Sequence, residues 1–170
     1  MNAILTALLT VSVSTFALAA NTHAYTSLEA KDCRNLVTNT SYTGYVRDDC
    51  GGLGGYRLLV EEGDLRQNVV VVRGKTSTSL DLWTIVSSSF STLGPRAEWR
   101  LGGGVPTALI VRYNASENSA DPKRITSYLA VVKLGAKPCV VAKVAPGPRQ
   151  NELARQAADT ASTRRCLSPS

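Results

Sequence analysis

Histidine is nearly absent from this chain, which contains only His23. His23 stands near the start of the sequence, in a segment that we expect to be a disordered terminus. Serine and cysteine triads, H-E-x-x-H metal sites and histidine proton shuttles all need a histidine in the folded part, and the motifs G-x-S-x-G and S-x-x-K do not occur. The sequence therefore predicts no catalytic residue of these kinds, no metal site and no cofactor.

Charged side chains are missing from residues 1–20, which end in Ala-Leu-Ala-Ala. Hydroxyl side chains interrupt this apolar segment, whereas a membrane-spanning helix needs roughly 20 predominantly apolar residues. We therefore predict a signal peptide over residues 1–20, cut after Ala19 or Ala20 with a further option after Ala24, and a single exported domain over residues 21–170, periplasmic or secreted. Because no later apolar run is long enough, we expect no membrane span after cleavage.

Cysteine occurs four times and never as C-x-x-C, the spacing that structural zinc and redox sites favour. In an exported chain, an even number of cysteines predicts disulfide bonds, and four cysteines allow three pairings. Because short loops close more easily, we favour Cys33 with Cys50 and Cys139 with Cys166, two loops worth roughly 3 kcal/mol each in the chain-entropy model.

Acidic residues are outnumbered, with 13 Asp and Glu against 19 Lys and Arg and a net charge of +6. The basic residues are scattered, whereas nucleic-acid binding needs them clustered on one face with aromatic residues between them. The sequence therefore predicts no nucleic-acid partner. The modest basic excess favours an acidic surface on a partner protein or an envelope glycan, without identifying it.

Helical periodicity is absent before residue 150, where short apolar runs alternate with Gly, Pro and polar turn residues. The cleanest alternation places Ala97, Trp99 and Leu101 on one face of a half-buried strand. Tyr56 to Arg73 reads as a hairpin whose loop is longer than two residues, and the alternation around Trp83 predicts a strand with that tryptophan in the core. About seven such strands predict a mainly β fold, an antiparallel sandwich or barrel.

The C-terminal segment Gln150 to Thr163 has the periodicity of an amphipathic helix. Its apolar stripe consists of Leu153, Ala154, Ala157, Ala158 and Ala161. We expect the stripe to lie against the sheet. A bridge from Cys139 to Cys166 would then tether this helix to the last strand.

Two groups of charged residues are candidates for a binding surface: Asp64 and Arg66 in a turn, and Arg96, Glu98 and Arg100 on the polar face of the alternating strand. One interpretation is structural, with Asp64 capping the turn and the strand residues forming an exposed ladder of cross-strand pairs. The other is functional, with the arginines binding carboxylates of a partner protein or glycan.

Two classes of function remain. We favour an exported, non-enzymatic binding domain of unknown ligand, which binds an envelope component or inhibits an enzyme, because rigid disulfide-bonded β domains present a preformed surface. The alternative is a carboxylate-dependent hydrolase of cell-wall polysaccharide, although few aromatic residues are available as sugar platforms. Its candidate carboxylates are Asp48 with Asp49, Glu61 or Glu62 with Asp64, and Glu98.

Several spaced motifs between Cys50 and Cys166 resemble a group of small exported proteins of alphaproteobacterial type. The motifs are Gly54-Gly55-Tyr56, Glu62-Gly63-Asp64-Leu65-Arg66, Gly94-Pro95-Arg96-Ala97-Glu98-Trp99-Arg100, Asn151-Glu152-Leu153-Ala154-Arg155, Ala158-Asp159 and Cys166. This group has no assigned activity, so the resemblance implies a fold and a compartment but no reaction. Its members often carry a histidine after the cysteine of the last strand, where this chain has Val140.

Overall fold

Ten strands and two α-helices make up most of the computed structural model, which describes residues 21–39 and 44–169. The predicted signal peptide, residues 1–20, lies outside the described residues. The strands are β1 (Thr22–Ser27), β2 (Arg34–Asn39), β3 (Tyr45–Asp49), β4 (Tyr56–Gly63), β5 (Arg66–Arg73), β6 (Thr76–Ser79), β7 (Ser91–Gly102), β8 (Val105–Ala115), β9 (Thr126–Lys133) and β10 (Cys139–Val144). The helices are α1 (Leu82–Ile85) and α2 (Gln150–Asp159), and single 3-10 turns occupy Ala30–Asp32 and Ala161–Thr163.

All ten strands belong to one open sheet. Its order is β10-β9-β8-β7-β5-β4-β3-β2, with β1 beside β7 and β6 beside β5. The pairings are antiparallel except that of β5 with β7, which consists of the single pair Arg66 and Ser91. The prediction of a mainly β fold is confirmed, while a closed barrel of about seven strands is wrong. Four strands were not predicted, β1, β2, β3 and β6, because their residues show little apolar alternation.

The main core brings together side chains from distant parts of this sheet. Leu58 of β4 and Val69 of β5 belong to the same buried cluster as Trp99 of β7 and Leu109 of β8. Because inward-facing residues of β4 and β5 share a cluster with those of β7 to β10, the sheet folds over a common core. Trp99 is fully buried, as its alternation predicts.

Helix α2 covers the opposite face of β8, β9 and β10. Ala154, Ala157 and Ala158 pack there against residues such as Ile110 and Val131 in a second buried cluster. Small side chains allow the helix to approach the sheet closely, whereas the predicted stripe residue Leu153 is exposed. The predicted helix is therefore present, with a stripe made of alanines alone.

The two disulfides join Cys33 to Cys50 and Cys139 to Cys166. These are the pairs that loop length favours, and the partners are 17 and 27 positions apart in the sequence. Cys139 is the first residue of β10, and Cys166 follows the turn after α2, so the second disulfide tethers the helical segment to the last strand as expected. No helix in residues 21–39 and 44–169 combines the length and apolar character needed to cross a membrane.

Three local predictions are wrong. His23 lies in β1, opposite Arg100 of β7, and not in a disordered terminus. Trp83 is an exposed residue of α1, because the segment predicted as a strand forms a short helix. The hairpin between β4 and β5 has a two-residue loop, since Gly63 pairs directly with Arg66.

Candidate functional site

The five charged residues that the sequence singles out lie in two regions. Arg96 and Glu98 line a recess between α2 and the sheet, whereas Asp64 and Arg66 line a shallow pocket beside the turn between β4 and β5. Arg100 is only 7% exposed and lines neither of them. The sequence prediction of one binding surface therefore corresponds to two separate groups of side chains.

Ion pairs connect the polar face of β7 to α2. The Arg100 guanidinium donates to both carboxylate oxygens of Asp159, from Nε at 2.8 Å and from Nη2 at 3.0 Å. Arg155 binds Glu98 in the same two-pronged way, at 2.8 and 3.0 Å. The exposed cross-strand ladder is therefore wrong for Glu98 and Arg100, because α2 supplies their partners. Arg96 is exposed and contacts the neighbouring strand β1.

These contacts shift the pKa of the groups involved. Burial by itself raises the pKa of Glu98, but the hydrogen bonds and charge of Arg155, together with the charge of Arg100, outweigh burial and hold that pKa below its ordinary value. The hydrogen bond to Asp159 raises the pKa of Arg100. Glu98 is thus held ionised, the opposite of what a glycosidase requires of its general acid.

The recess has a volume of about 250 Å³ and lies where β1, β7, β8, β9 and α2 meet. Ile110, Leu129 and Ala154, all buried, supply its apolar lining. Its polar lining consists of Tyr25, Arg96, Glu98, Arg112, Asn151 and Arg155. We call this site the basic recess.

Arg112 is the residue of the basic recess that sequence reasoning missed. Its guanidinium donates to three neutral acceptors, Ser127 Oγ at 2.8 Å and the amide oxygens of Gln150 and Asn151, each at 3.3 Å. Arg96 lies over the ring of Tyr25 at 4.3 Å. Among the described residues neither arginine has a carboxylate partner. In the sequence, Arg112 could have been noticed as the one charged residue of an otherwise apolar strand.

The motif Gly94-Pro95-Arg96 shapes the entrance of the basic recess. The pairing of β7 with β8 shifts between Leu93 and Ala97, so the motif forms an irregularity in β7. A Cβ on Gly94 would lie 2.6 Å from Cβ of Arg112. Glycine is therefore favoured at this position, where the Arg112 side chain packs against β7.

A second region lies at the ends of four neighbouring strands. Leu65, Phe90 and Ile125 directly precede β5, β7 and β9, and their side chains are 65%, 51% and 50% exposed. The pairs Arg66–Ser91, Ser91–Ala115 and Ala115–Thr126 place these strand ends in one row. The three side chains line a common hollow of about 230 Å³. We call Leu65, Phe90 and Ile125 the strand-end patch.

The backbone of the turn holds Leu65 in an unfavourable conformation. Asp64 and Leu65 have φ values of 50° and 56°, the left-handed region that a two-residue hairpin turn requires and that favours Asn, Asp and Gly. Leucine there costs about 1 kcal/mol. The Ser91 amide donates to the carbonyl oxygen of Leu65 at 3.0 Å, which fixes the turn against β7.

Charges around the strand-end patch are arranged differently from those of the basic recess. The Arg66 guanidinium lies over the ring of Phe90 at 5.1 Å and forms an ion pair with Asp64. Glu62 accepts a hydrogen bond from Gln67, and Glu117 accepts hydrogen bonds from Ser87 and Tyr128. In the part of the chain that is described, neither glutamate has a Lys or Arg within ion-pair distance.

Glu117 remains ionised as a result. Burial by itself raises its pKa, and the hydrogen bonds from Ser87 and Tyr128, together with the charge of Lys143, outweigh burial, so that the pKa lies below its ordinary value. The strand-end patch therefore combines exposed apolar side chains with two carboxylates that form no ion pair among the described residues.

The remaining candidate carboxylates of the hydrolase hypothesis lie in polar contacts. Arg47 and the hydroxyl of Tyr45 bind Glu61, and Arg34 and Arg57 bind Asp49. Asp48 accepts a hydrogen bond from Asn35 at 2.7 Å. Within the described ranges no three His, Cys, Asp or Glu residues come together in a group that could hold a metal ion.

Comparison with protein-family models, with curated proteins and with solved structures finds no match. The resemblance to exported alphaproteobacterial proteins stays a prediction, and function has to be argued from the two regions themselves.

Proposed function

We propose that the chain is an exported, non-enzymatic binding domain that contacts a protein partner through the strand-end patch. The apolar segment over residues 1–20 supports export, as do the two disulfides, since disulfides persist in oxidising compartments. The partner is an envelope protein or an enzyme that the domain inhibits.

The observation that carries this proposal is the contiguity of Leu65, Phe90 and Ile125. Scattered exposed apolar side chains are ordinary, but three that line one hollow at the end of a sheet are typical of an interaction surface. Leu65 adds a second argument, because a strained, exposed leucine at a turn lowers stability without contributing to the core. A partner that buries this side chain gives it a role.

Charge defines the chemistry of the partner. Glu62 lines the hollow of the patch and Glu117 directly follows its lining residue Ser116, and neither forms an ion pair among the described residues, although the chain as a whole carries a net charge of +6. A complementary surface presents apolar side chains flanked by Lys or Arg. An envelope glycan offers few such groups, so we favour a protein partner over a glycan.

The experiment is capture from envelope extract with the exported, oxidised chain and matched variants. We expect one protein to be retained by the parent chain and by Val105→Asp, an exposed site at the opposite end of β8, and to be lost with Leu65→Asp. Cross-linking mass spectrometry should place Leu65 next to a basic and apolar surface of that protein. Ile125→Asp provides a second test if Leu65→Asp does not fold.

Retention that is unchanged in both Leu65→Asp and Ile125→Asp would contradict the proposal. The hydrolase alternative has its own readout, the turnover of murein or cell-wall polysaccharide. Turnover by the parent chain that disappears in Glu98→Gln or Asp64→Asn would establish an enzyme and remove the non-enzymatic proposal.

A further inference from the structure

We infer that the basic recess binds a carboxylate that is attached to a small apolar group. This site is separate from the strand-end patch, and the inference does not depend on a protein partner at that patch. It depends on three features: unpaired arginines, an apolar floor and a small volume.

The first feature is positive charge with no counter-charge. Arg155 is neutralised by Glu98 and Arg100 by Asp159, so these two pairs hold α2 in place. Arg96 and Arg112 have no such partner among the described residues, and both line the basic recess. Two guanidinium groups beside a partly enclosed space attract an anion strongly, because solvent screens them less there than on an open surface.

The second feature is the orientation of the Arg112 guanidinium. Ser127, Gln150 and Asn151 accept its hydrogen bonds, and these acceptors come from β9 and from the start of α2. The neutral acceptors fix the planar group without cancelling its charge. A fixed guanidinium plane suits the two oxygens of a carboxylate, which it can bind with two parallel hydrogen bonds.

The third feature is the apolar lining. Ile110, Leu129 and Ala154 supply aliphatic surface beneath the arginines. The volume of about 250 Å³ lies just below the range usual for drug-sized ligands, so the basic recess suits a group about as large as one amino-acid residue. Inorganic phosphate or acetate would use the charge but leave the apolar floor without a contact.

A carboxylate attached to a small apolar group occurs in a free short-chain or branched carboxylic acid and in the C-terminal residue of a peptide. Both present one carboxylate next to an aliphatic side chain. The probes are therefore N-acetyl-leucine and a five-residue peptide ending in leucine, each compared with its C-terminal amide, with acetate and inorganic phosphate as anions that lack the apolar group.

The experiment is a titration of the full exported chain, followed by backbone and arginine side-chain NMR shifts. We expect N-acetyl-leucine to bind with a Kd of about 1 mM or tighter, and its amide, acetate and phosphate to bind at least about tenfold more weakly. Tighter binding of the peptide than of N-acetyl-leucine would identify a peptide terminus as the source, and equal or weaker binding would identify the free acid.

Variants test whether the named arginine is responsible. Arg112→Gln should weaken N-acetyl-leucine binding about tenfold or more, whereas Arg112→Lys, which keeps the charge but loses the planar group, should recover only part of the affinity. Arg165→Gln is the matched control, because it removes one exposed positive charge outside the basic recess. Circular dichroism and thermal unfolding establish that each variant is folded, and Arg96→Gln replaces Arg112→Gln if the latter is not.

Three results would overturn the inference. They are equal binding of the acid and the amide, no shift at about 10 mM N-acetyl-leucine, and an affinity that Arg112→Gln and Arg96→Gln leave unchanged. None of these results bears on capture by the strand-end patch, so the two proposals fail independently.

Discussion

The basic recess and the strand-end patch differ in how they are held in place. Ion pairs between β7 and α2 form the basic recess, whereas a tight turn and the ends of neighbouring strands form the strand-end patch. The first depends on a helix that packs on the sheet through small alanines, and the second depends on backbone hydrogen bonds within the sheet. A substitution can therefore disrupt one region and leave the other intact.

The two regions also differ in the kind of ligand that fits. The basic recess is small, half-enclosed and positively charged, which suits one small anion. The strand-end patch is open, apolar and bordered by glutamates, which suits a protein surface. Substitutions in one region should therefore leave ligand binding at the other unchanged.

Asp159→Ala should produce the largest change, and only at the basic recess. It leaves the nearly buried Arg100 without its two-pronged partner, and we expect the free energy of unfolding to fall by about 2 kcal/mol. Urea unfolding measures this change, and N-acetyl-leucine titration should show weaker binding. Glu152→Ala on the exposed side of the same helix is the control, and an equal loss from both variants would contradict the role of the ion pair.

Gly94→Ala should disturb the basic recess through packing. The added Cβ would approach Cβ of Arg112 at 2.6 Å, so that side chain must move, and we expect a loss of about 1 kcal/mol in unfolding free energy. Gly147→Ala, which meets nothing within 4 Å, should change stability by less than about 0.5 kcal/mol. Arg112 side-chain NMR shifts that match those of the parent chain would refute the contact.

Leu65→Gly should act on the strand-end patch in the opposite direction. Glycine adopts the positive φ of this position without strain, so we expect the free energy of unfolding to rise by about 0.5 kcal/mol while capture of the protein partner is lost. Leu65→Ala retains the strain and should not gain stability. Equal stabilities of the Gly and Ala variants would show that the turn stores no strain.

Acidification should weaken the ion pair between Glu98 and Arg155 beside the basic recess, and we expect this effect to be the smallest. The pKa of Glu98 is lower in the folded chain than its ordinary value of 4.5, so its ion pair contributes stability above that value. This contribution is lost as the pH falls through the lowered pKa. The difference in unfolding free energy between the parent chain and Glu98→Gln should shrink from about pH 6 to about pH 3. A constant difference would be inconsistent with the lowered pKa.

Local patterns in the sequence predicted part of this structure correctly. The strands with strong alternation, the helix after Pro148 and the two disulfides follow from periodicity and loop closure, which depend on residues close together in the chain. The edge strand β2 escaped prediction because its residues are all exposed and its pairing is set by β3. The two-residue turn escaped because Leu65 is an unfavourable residue for it.

The two candidate sites could not be predicted from the sequence, because the pattern does not show which distant residues come together in the fold. Arg96, Glu98 and Arg100 alternate as solvent-facing residues do, and the pattern does not show that a helix about 50 residues later covers that face. Likewise, Leu65, Phe90 and Ile125 are isolated apolar residues in the sequence. They become neighbours only through the strand order, which places the first residues of β5, β7 and β9 beside the last residue of β8.

The order of the disulfides has a consequence for how the chain matures. The first cysteine bonds to the second and the third to the fourth, so the first bond closes a loop that is complete before Cys139 has been synthesised. In the export that we propose, a thiol oxidase that acts on cysteines in their order of arrival would produce this pairing without reshuffling by a disulfide isomerase.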